Sequence, residues 1–189
     1  MPNSWKEKYL LFQVRTRKDP EAFAKLYDLY VDRLYRFLSF KLANEEDARD
    51  LTSEVFLRSW QHIHDGNKLR TPVALFYRIA RNLTADYYRS KQRAEVPLDL
   101  ADEENRDLLK EAGTTPNITD RLDLDFKTRA ALTALRGLKE NYRELIVFRY
   151  LDELSTREIG EILGKTEVNV RVMLHRALRT LRTIMAKKS

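Results

Sequence analysis

The 189-residue chain has no cysteine, only five glycines and five prolines, and no apolar run long enough to cross a membrane. The missing cysteine excludes disulfides, thiolate metal sites and cysteine nucleophiles together, and fits a reducing compartment. A spanning helix needs about 18 consecutive apolar residues, and Met1 to Leu10 lacks the charged-then-apolar order of a signal peptide. A cytoplasmic chain with no membrane insertion is therefore expected. Neither strand-like alternation nor a repeat of solenoid length is visible. A HExxH motif and a glycine-rich phosphate loop are also missing. What is abundant is apolar residues (43%) and charged residues (34%), the composition of surface-rich, well-packed helices.

The net charge of +6 is unevenly spread. Residues 1–93 carry 18 basic and 12 acidic side chains (+6), residues 94–126 carry 3 and 10 (−7), and residues 127–189 carry 14 and 7 (+7). Two basic blocks flanking an acidic one suggest two nucleic-acid-facing modules joined by a segment that phosphates repel. Solvated helix surfaces would give the same balance, so charge alone does not decide.

Asp19-Pro20-Glu21 supplies an N-cap, a first-turn proline and a first-turn acid, so a helix starts there. Phe23, Leu26, Tyr27, Tyr30, Leu34, Phe37 and Leu38 continue it at steps of three and four. Asn44 opens the next, with Glu45, Glu46 and Asp47 at its dipole-favoured end and Leu51, Val55, Phe56 and Trp60 inward. Asp65-Gly66-Asn67 breaks the pattern, leaving His62 and His64 as loop residues. Thr71-Pro72 starts a third long helix through Phe76, Ile79, Ala80, Leu83 and Tyr87, and Trp5 to Val14 predicts a short additional one. Between Glu95 and Asn117 the periodicity fades among Pro97, Gly113, Pro116 and most of the acids, which predicts a flexible linker with one helical turn near Leu108. Helices return over 119–137, 140–150, 155–163 and 166–186. The expected fold is all-α: two small helical domains, 1–94 and 119–189, joined by an acidic linker over 95–118.

Ser155-Thr156-Arg157-Glu158 is a capping box. The helix it opens buries Ile159, Ile162 and Leu163 and ends at Gly164, where a left-handed residue turns the chain. Thr166 caps a second helix with Val170, Leu174, Ala177, Leu178 and Leu181 on its buried stripe. This is the sequence form of a helix-turn-helix, whose second helix enters the major groove. Arg171, His175 and Arg176 lie outside the stripe, within reach of bases or phosphates.

Three stretches together resemble the extracytoplasmic-function (ECF) branch of the sigma-70 family, initiation factors that give bacterial RNA polymerase its promoter specificity. They are Asp47-Ala48-Arg49-Asp50-Leu51-Thr52-Ser53-Glu54-Val55-Phe56, Tyr77-Arg78-Ile79-Ala80-Arg81-Asn82-Leu83 with Asp86-Tyr87, and Ser155 to Arg182 with Leu174-His175-Arg176-Ala177-Leu178 at its centre. The resemblance implies that Asp47, Asp50, Leu51, Glu54 and Phe56 dock on the clamp helices of core RNA polymerase. Tyr77, Arg78, Arg81, Asn82, Asp86, Tyr87 and Arg89 would recognise and melt the minus-ten element, with Asn82 and the loop from His62 to Arg70 holding a flipped base. Arg149, Thr156, Arg157, Thr166, Asn169, Arg171, Val172, Met173, His175 and Arg176 would read the minus-thirty-five element. Implied partners are core polymerase (clamp and flap), promoter DNA as duplex and single strand, and an anti-sigma factor. No cofactor, metal or catalysis is implied.

The residue chemistry fits these roles. Asp47, Asp50 and Glu54, at i, i+3 and i+7, share a helix face that could meet a basic partner. The third helix interleaves Tyr77, Tyr87 and Tyr88 with Arg78, Arg81, Arg89, Lys91 and Arg93, the rings for stacking and the cations for phosphates. Buried tyrosines would give the same sequence pattern. Asp99, Asp102, Glu103, Glu104 and Asp107 would place an acidic strap along the path of nascent RNA. The chain departs from the family at Ser53 (usually Gln), Leu75 (usually Trp), Gly160 (usually Ala), and Val172 and Met173 (usually Ser and Arg). Apolar groups at the last two could read a thymine methyl.

Two rivals remain at this point. A stand-alone helix-turn-helix regulator would usually dimerise on a palindrome, and no dimer helix is evident. A metal-dependent hydrolase would draw on His62, His64, Glu45, Glu46 and Asp50, although histidines at i, i+2 diverge on a helix.

Overall fold

The computed structural model describes residues 4–67, 71–95 and 133–186; these fall into two compact units, one on each side of the undescribed stretch. Among the described residues there is no strand, and no helix is long and apolar enough to cross a membrane. The expected linker, its helical turn near Leu108 and the acidic strap lie outside the described residues.

The first unit contains α1 (Ser4–Arg17), α2 (Pro20–Lys41), α3 (Glu45–His64) and α4 (Pro72–Glu95). The caps form as their chemistry demands. Asp19 accepts from the backbone N–H of Glu21 (2.9 Å) and Ala22 (3.3 Å), and Asn44 from that of Glu46 (3.0 Å). Lys18, with φ +50°, turns the corner between α1 and α2. The core between the helices is aromatic. Phe76, wholly buried, meets Phe56 at 5.2 Å and Tyr30 at 5.3 Å between ring centroids, while Phe23 meets Trp60 at 5.0 Å. Tilted and edge-on pairs of this kind add to the area they bury. Tyrosine hydroxyls at the rim tie helices together: Tyr30 donates to Glu7, Tyr88 to the Lys41 carbonyl and Tyr87 to Asp47.

One expectation is corrected here. His62 and His64 belong to the last turn of α3, not to a loop. Ile63 is buried on the same apolar face as Val55, Phe56 and Ser59, and this holds the helix together until Gly66 takes φ +75°.

The second unit begins, among described residues, with a helical turn over 133–136, followed by α5 (Glu140–Ile146), a π-helical turn (Val147–Leu151), α6 (Thr156–Leu163) and α7 (Glu167–Ala186). The continuous α-helix expected over 140–150 thus widens at Val147, where the Asp152 N–H reaches back to the Val147 carbonyl at 3.0 Å. The core is aliphatic: Leu135, Leu138, Leu145, Ile146, Val147, Leu154, Ile159, Ile162, Val170 and Leu174 surround Phe148. Polar closure is strong. Arg143 donates to the carbonyls of Leu135 (3.1 Å), Arg136 (2.8 Å) and Leu138 (3.0 Å), satisfying the orphan end of the helical turn before it.

Candidate nucleic-acid interfaces

Position along α4 decides which side chains can meet a ligand. Arg78, Asn82, Asp86 and Arg89 are all exposed and recur at steps of four, four and three, which makes one polar stripe along the helix. Asp86 and Arg89 form an ion pair within it. Arg81 lies beside the stripe and is half-buried. The tyrosines do not join it. At about 100° per residue, Tyr87 stands about 180° from Arg78, and its hydroxyl donates to Asp47 Oδ2 of α3 at 2.7 Å. That hydrogen bond, with burial and the Asp47 charge behind it, pushes the Tyr87 phenol up to about 12.

Tyr77 is a core residue: it is wholly buried, with its ring edge-on to Phe37 at 5.2 Å. The expectation that Tyr77 offers a ring to an unpaired base is therefore corrected. Helical periodicity places it inward between Ala74 and Ala80. Of the loop expected to flank Asn82, residues 68–70 lie outside the described set, while His62 and His64 are helical.

On α3 the carboxylates behave differently from one another. Asp50 is exposed, Asp47 is half-buried against Tyr87, and Glu54 pairs with Arg58 at 2.6 Å. Leu51 is half-buried. Phe56 is buried among Phe23, Tyr27 and Phe76, so its expected place on a docking surface is also corrected. One turn away, Leu57 is 52% exposed on the outside of the same helix. The hydrolase constellation falls apart on α3. Glu45 and His62 sit at opposite ends, about 25 Å apart along the axis, and among the described residues no group of three or more His, Cys, Asp or Glu is placed to hold a metal.

The helix-turn-helix forms around its turn. Ser155 and Glu158 complete the capping box, and Gly164 takes φ +64°. Gly160 has a stronger reason to lack a side chain: a Cβ there would lie 2.6 Å from the Lys165 carbonyl oxygen. The Thr166 hydroxyl accepts from the Asn169 N–H at 3.3 Å and so caps α7. Val170, Leu174 and Ala177 face inward; Asn169, Arg171, Val172, His175 and Arg176 are exposed and Met173 is half-buried. Arg157 is exposed beside Glu161 at 3.6 Å, and Arg149 donates to the Leu154 carbonyl at 3.0 Å.

The sequence reading passed over two features. Glu167, the first residue of α7, accepts from the Thr156 hydroxyl (2.7 Å) and Arg171 Nη2 (3.1 Å). The i, i+4 spacing to Arg171 was visible, but contact with Thr156 needs the turn to fold first. On α1, Trp5, Tyr9 and Phe12 are 82%, 62% and 58% exposed, with Lys8 Nζ 5.8 Å from the Trp5 ring centre. Leu10 and Val14 are buried on the other side, and apolar residues on both sides hid this stripe from a periodicity argument.

Comparison with known proteins adds the following. Residues 26–94 match the family model described as Sigma-70 region 2, and residues 128–181 match Sigma-70, region 4. The chain is 33% identical over 169 residues to the ECF RNA polymerase sigma factor SigW of Bacillus subtilis, covering 87% of this chain and 89% of that protein. It is 33% identical over 172 residues to the ECF RNA polymerase sigma factor BldN of Streptomyces coelicolor, covering 88% of this chain and 61% of that longer protein. Two solved structures share the fold. CnrH, in complex with the cytosolic domain of CnrY, aligns with a TM-score of 0.67 at 20% identity, over 97% of this chain and 99% of its own. The sigma factor RpoE of Bartonella quintana, with the anti-sigma factor NepR, aligns with a TM-score of 0.59 at 19% identity, over 87% and 96%.

Proposed function

We propose, from the premise that the chain belongs to the ECF family of RNA polymerase sigma factors, that it directs promoter-specific transcription initiation in the cytoplasm and performs no catalysis of its own. The observation that carries this reading is the order of the two region matches. The first falls on the unit with the carboxylate face of α3 and the polar stripe of α4, the second on the unit with the capped helix-turn-helix.

Residues 1–94 then act as the polymerase-docking and minus-ten module, with Asp47, Asp50, Leu51 and Glu54 toward the clamp. Arg78, Arg81, Asn82, Asp86 and Arg89 take the opened strand. Residues 119–189 read the upstream duplex through Arg171, Val172, Met173, His175 and Arg176, with Arg149, Thr156, Arg157, Thr166 and Asn169 around them. Tyr87 serves this surface indirectly, by holding α4 to Asp47. The linker over 95–118 carries Asp99, Asp102, Glu103, Glu104 and Asp107 toward the RNA exit path. RpoE was captured with an anti-sigma factor, and the proposal extends control of that kind to this chain.

Run-off transcription with core polymerase and a genomic promoter library tests the reading. Specific start sites are expected. Arg171→Ala or Arg176→Ala should lower specific transcription without loss of polymerase binding, and Asn82→Ala should spare the closed complex but reduce permanganate reactivity of the opened strand. Failure to bind the core enzyme, or binding without start-site choice, overturns the proposal.

A further inference from the structure

The upstream-reading surface contains one anion among its cations. Glu167 opens α7 and is exposed, next in the chain to Val168 and one turn from Arg171. One of its oxygens, Oε1, accepts both from Thr156 on α6 and from Arg171 on α7, so a single atom clasps the two helices and aims the guanidinium. The hydroxyl of Thr156, then Arg171, holds the carboxyl below the usual glutamate range, which keeps it charged. The other oxygen, Oε2, takes part in neither bond.

A fixed negative charge weakens approach to phosphates, so at this place it needs a donor to meet. In the major groove the donors are the exocyclic amines of cytosine and adenine. Adenine sets its N7 acceptor beside the amine, where it would repel a carboxylate. Cytosine presents the amine alone, and its partner guanine offers the O6 and N7 acceptors that suit an arginine.

We infer that Glu167 determines specificity for the upstream promoter element: Oε2 accepts a hydrogen bond from a cytosine N4 amine, while Oε1 positions Arg171 for a guanine. This rests on the reading of the second unit as the duplex-reading module, and nothing in the resemblance or the matched proteins assigns a role to Glu167.

The test is transcription by core polymerase with the full-length chain on a library randomised in the upstream element, comparing Glu167→Gln, Glu167→Ala and Thr156→Val. The unsubstituted chain should enrich cytosine at one position. Glu167→Gln should move that preference to adenine by about tenfold, because a carboxamide matches adenine N6 and N7. Glu167→Ala should erase it at that position alone, and Thr156→Val should weaken discrimination at the guanine read by Arg171. An unchanged cytosine preference in Glu167→Gln, or a uniform loss at all positions, would overturn the inference and leave Glu167 a structural clasp. If the unsubstituted chain selects no upstream sequence at all, the functional reading beneath it fails instead.

Discussion

The first unit brings Phe23, Tyr27, Tyr30, Phe56, Trp60 and Phe76 into ring contact, whereas the second has Phe148 as the buried aromatic among its described residues. The second is held instead by backbone geometry: a capping box, a left-handed Gly164, a glycine pressed against a carbonyl and an arginine satisfying three more. Shape-filling rings tolerate small backbone shifts but not loss of volume. A tight turn around a few aliphatic residues has the opposite sensitivity. A helix that must present side chains to base edges at fixed angles is suited to the second design.

Because Trp5 and Trp60 are the chain's two tryptophans, fluorescence follows the first unit alone while circular dichroism follows both. The largest effect is expected from Phe76→Ala, which should cost about 4 kcal/mol in denaturant unfolding followed by fluorescence; a loss near that of a surface residue would break the contrast. Next, Gly160→Ala should destabilise the second unit by about 2 kcal/mol and leave the fluorescence transition in place. Helix propensity alone gives the opposite sign, a gain of about 1 kcal/mol, so a stabilised variant would show that the turn yields. Tyr87→Phe should cost about 1 kcal/mol through the lost hydrogen bond to Asp47. Its pH signature sharpens the test: the phenol is raised from 10 to about 12 in the folded state. Its contribution is therefore complete below pH 10 and is lost as pH rises toward 12, and the difference between the two proteins should shrink across that window. The smallest effect is Trp5→Ala, within about 0.5 kcal/mol, since that ring is mostly in solvent.

Much of this was legible beforehand. Asp19, Asn44, Ser155 and Gly164 announce their helix ends by local chemistry, and the structure places each where that chemistry expects. The faces of long helices were read less well. Tyr87 was grouped with Arg78 because both are near in sequence, although ten residues less nine, at 3.6 per turn, put them on opposite sides. Tyr77 and Phe56 combine an apolar body with a plausible ligand role, and only packing against Phe37 and Phe76 shows which prevails. Gly160 was seen as a propensity defect, because the Lys165 carbonyl that forbids a Cβ arrives from beyond the turn.

The widened turn at Val147–Leu151 has a consequence for how chains of this kind can change length. A π turn holds about one residue more than an α-helix uses over the same rise. Deleting a residue there would restore regular winding but rotate everything downstream by about 100°. Asp152, now buried, and Glu153, now at φ +53°, would both be re-aimed by it. An insertion or deletion at this spot would thus act as a dial, turning the approach to the capping box without altering a single residue that touches DNA.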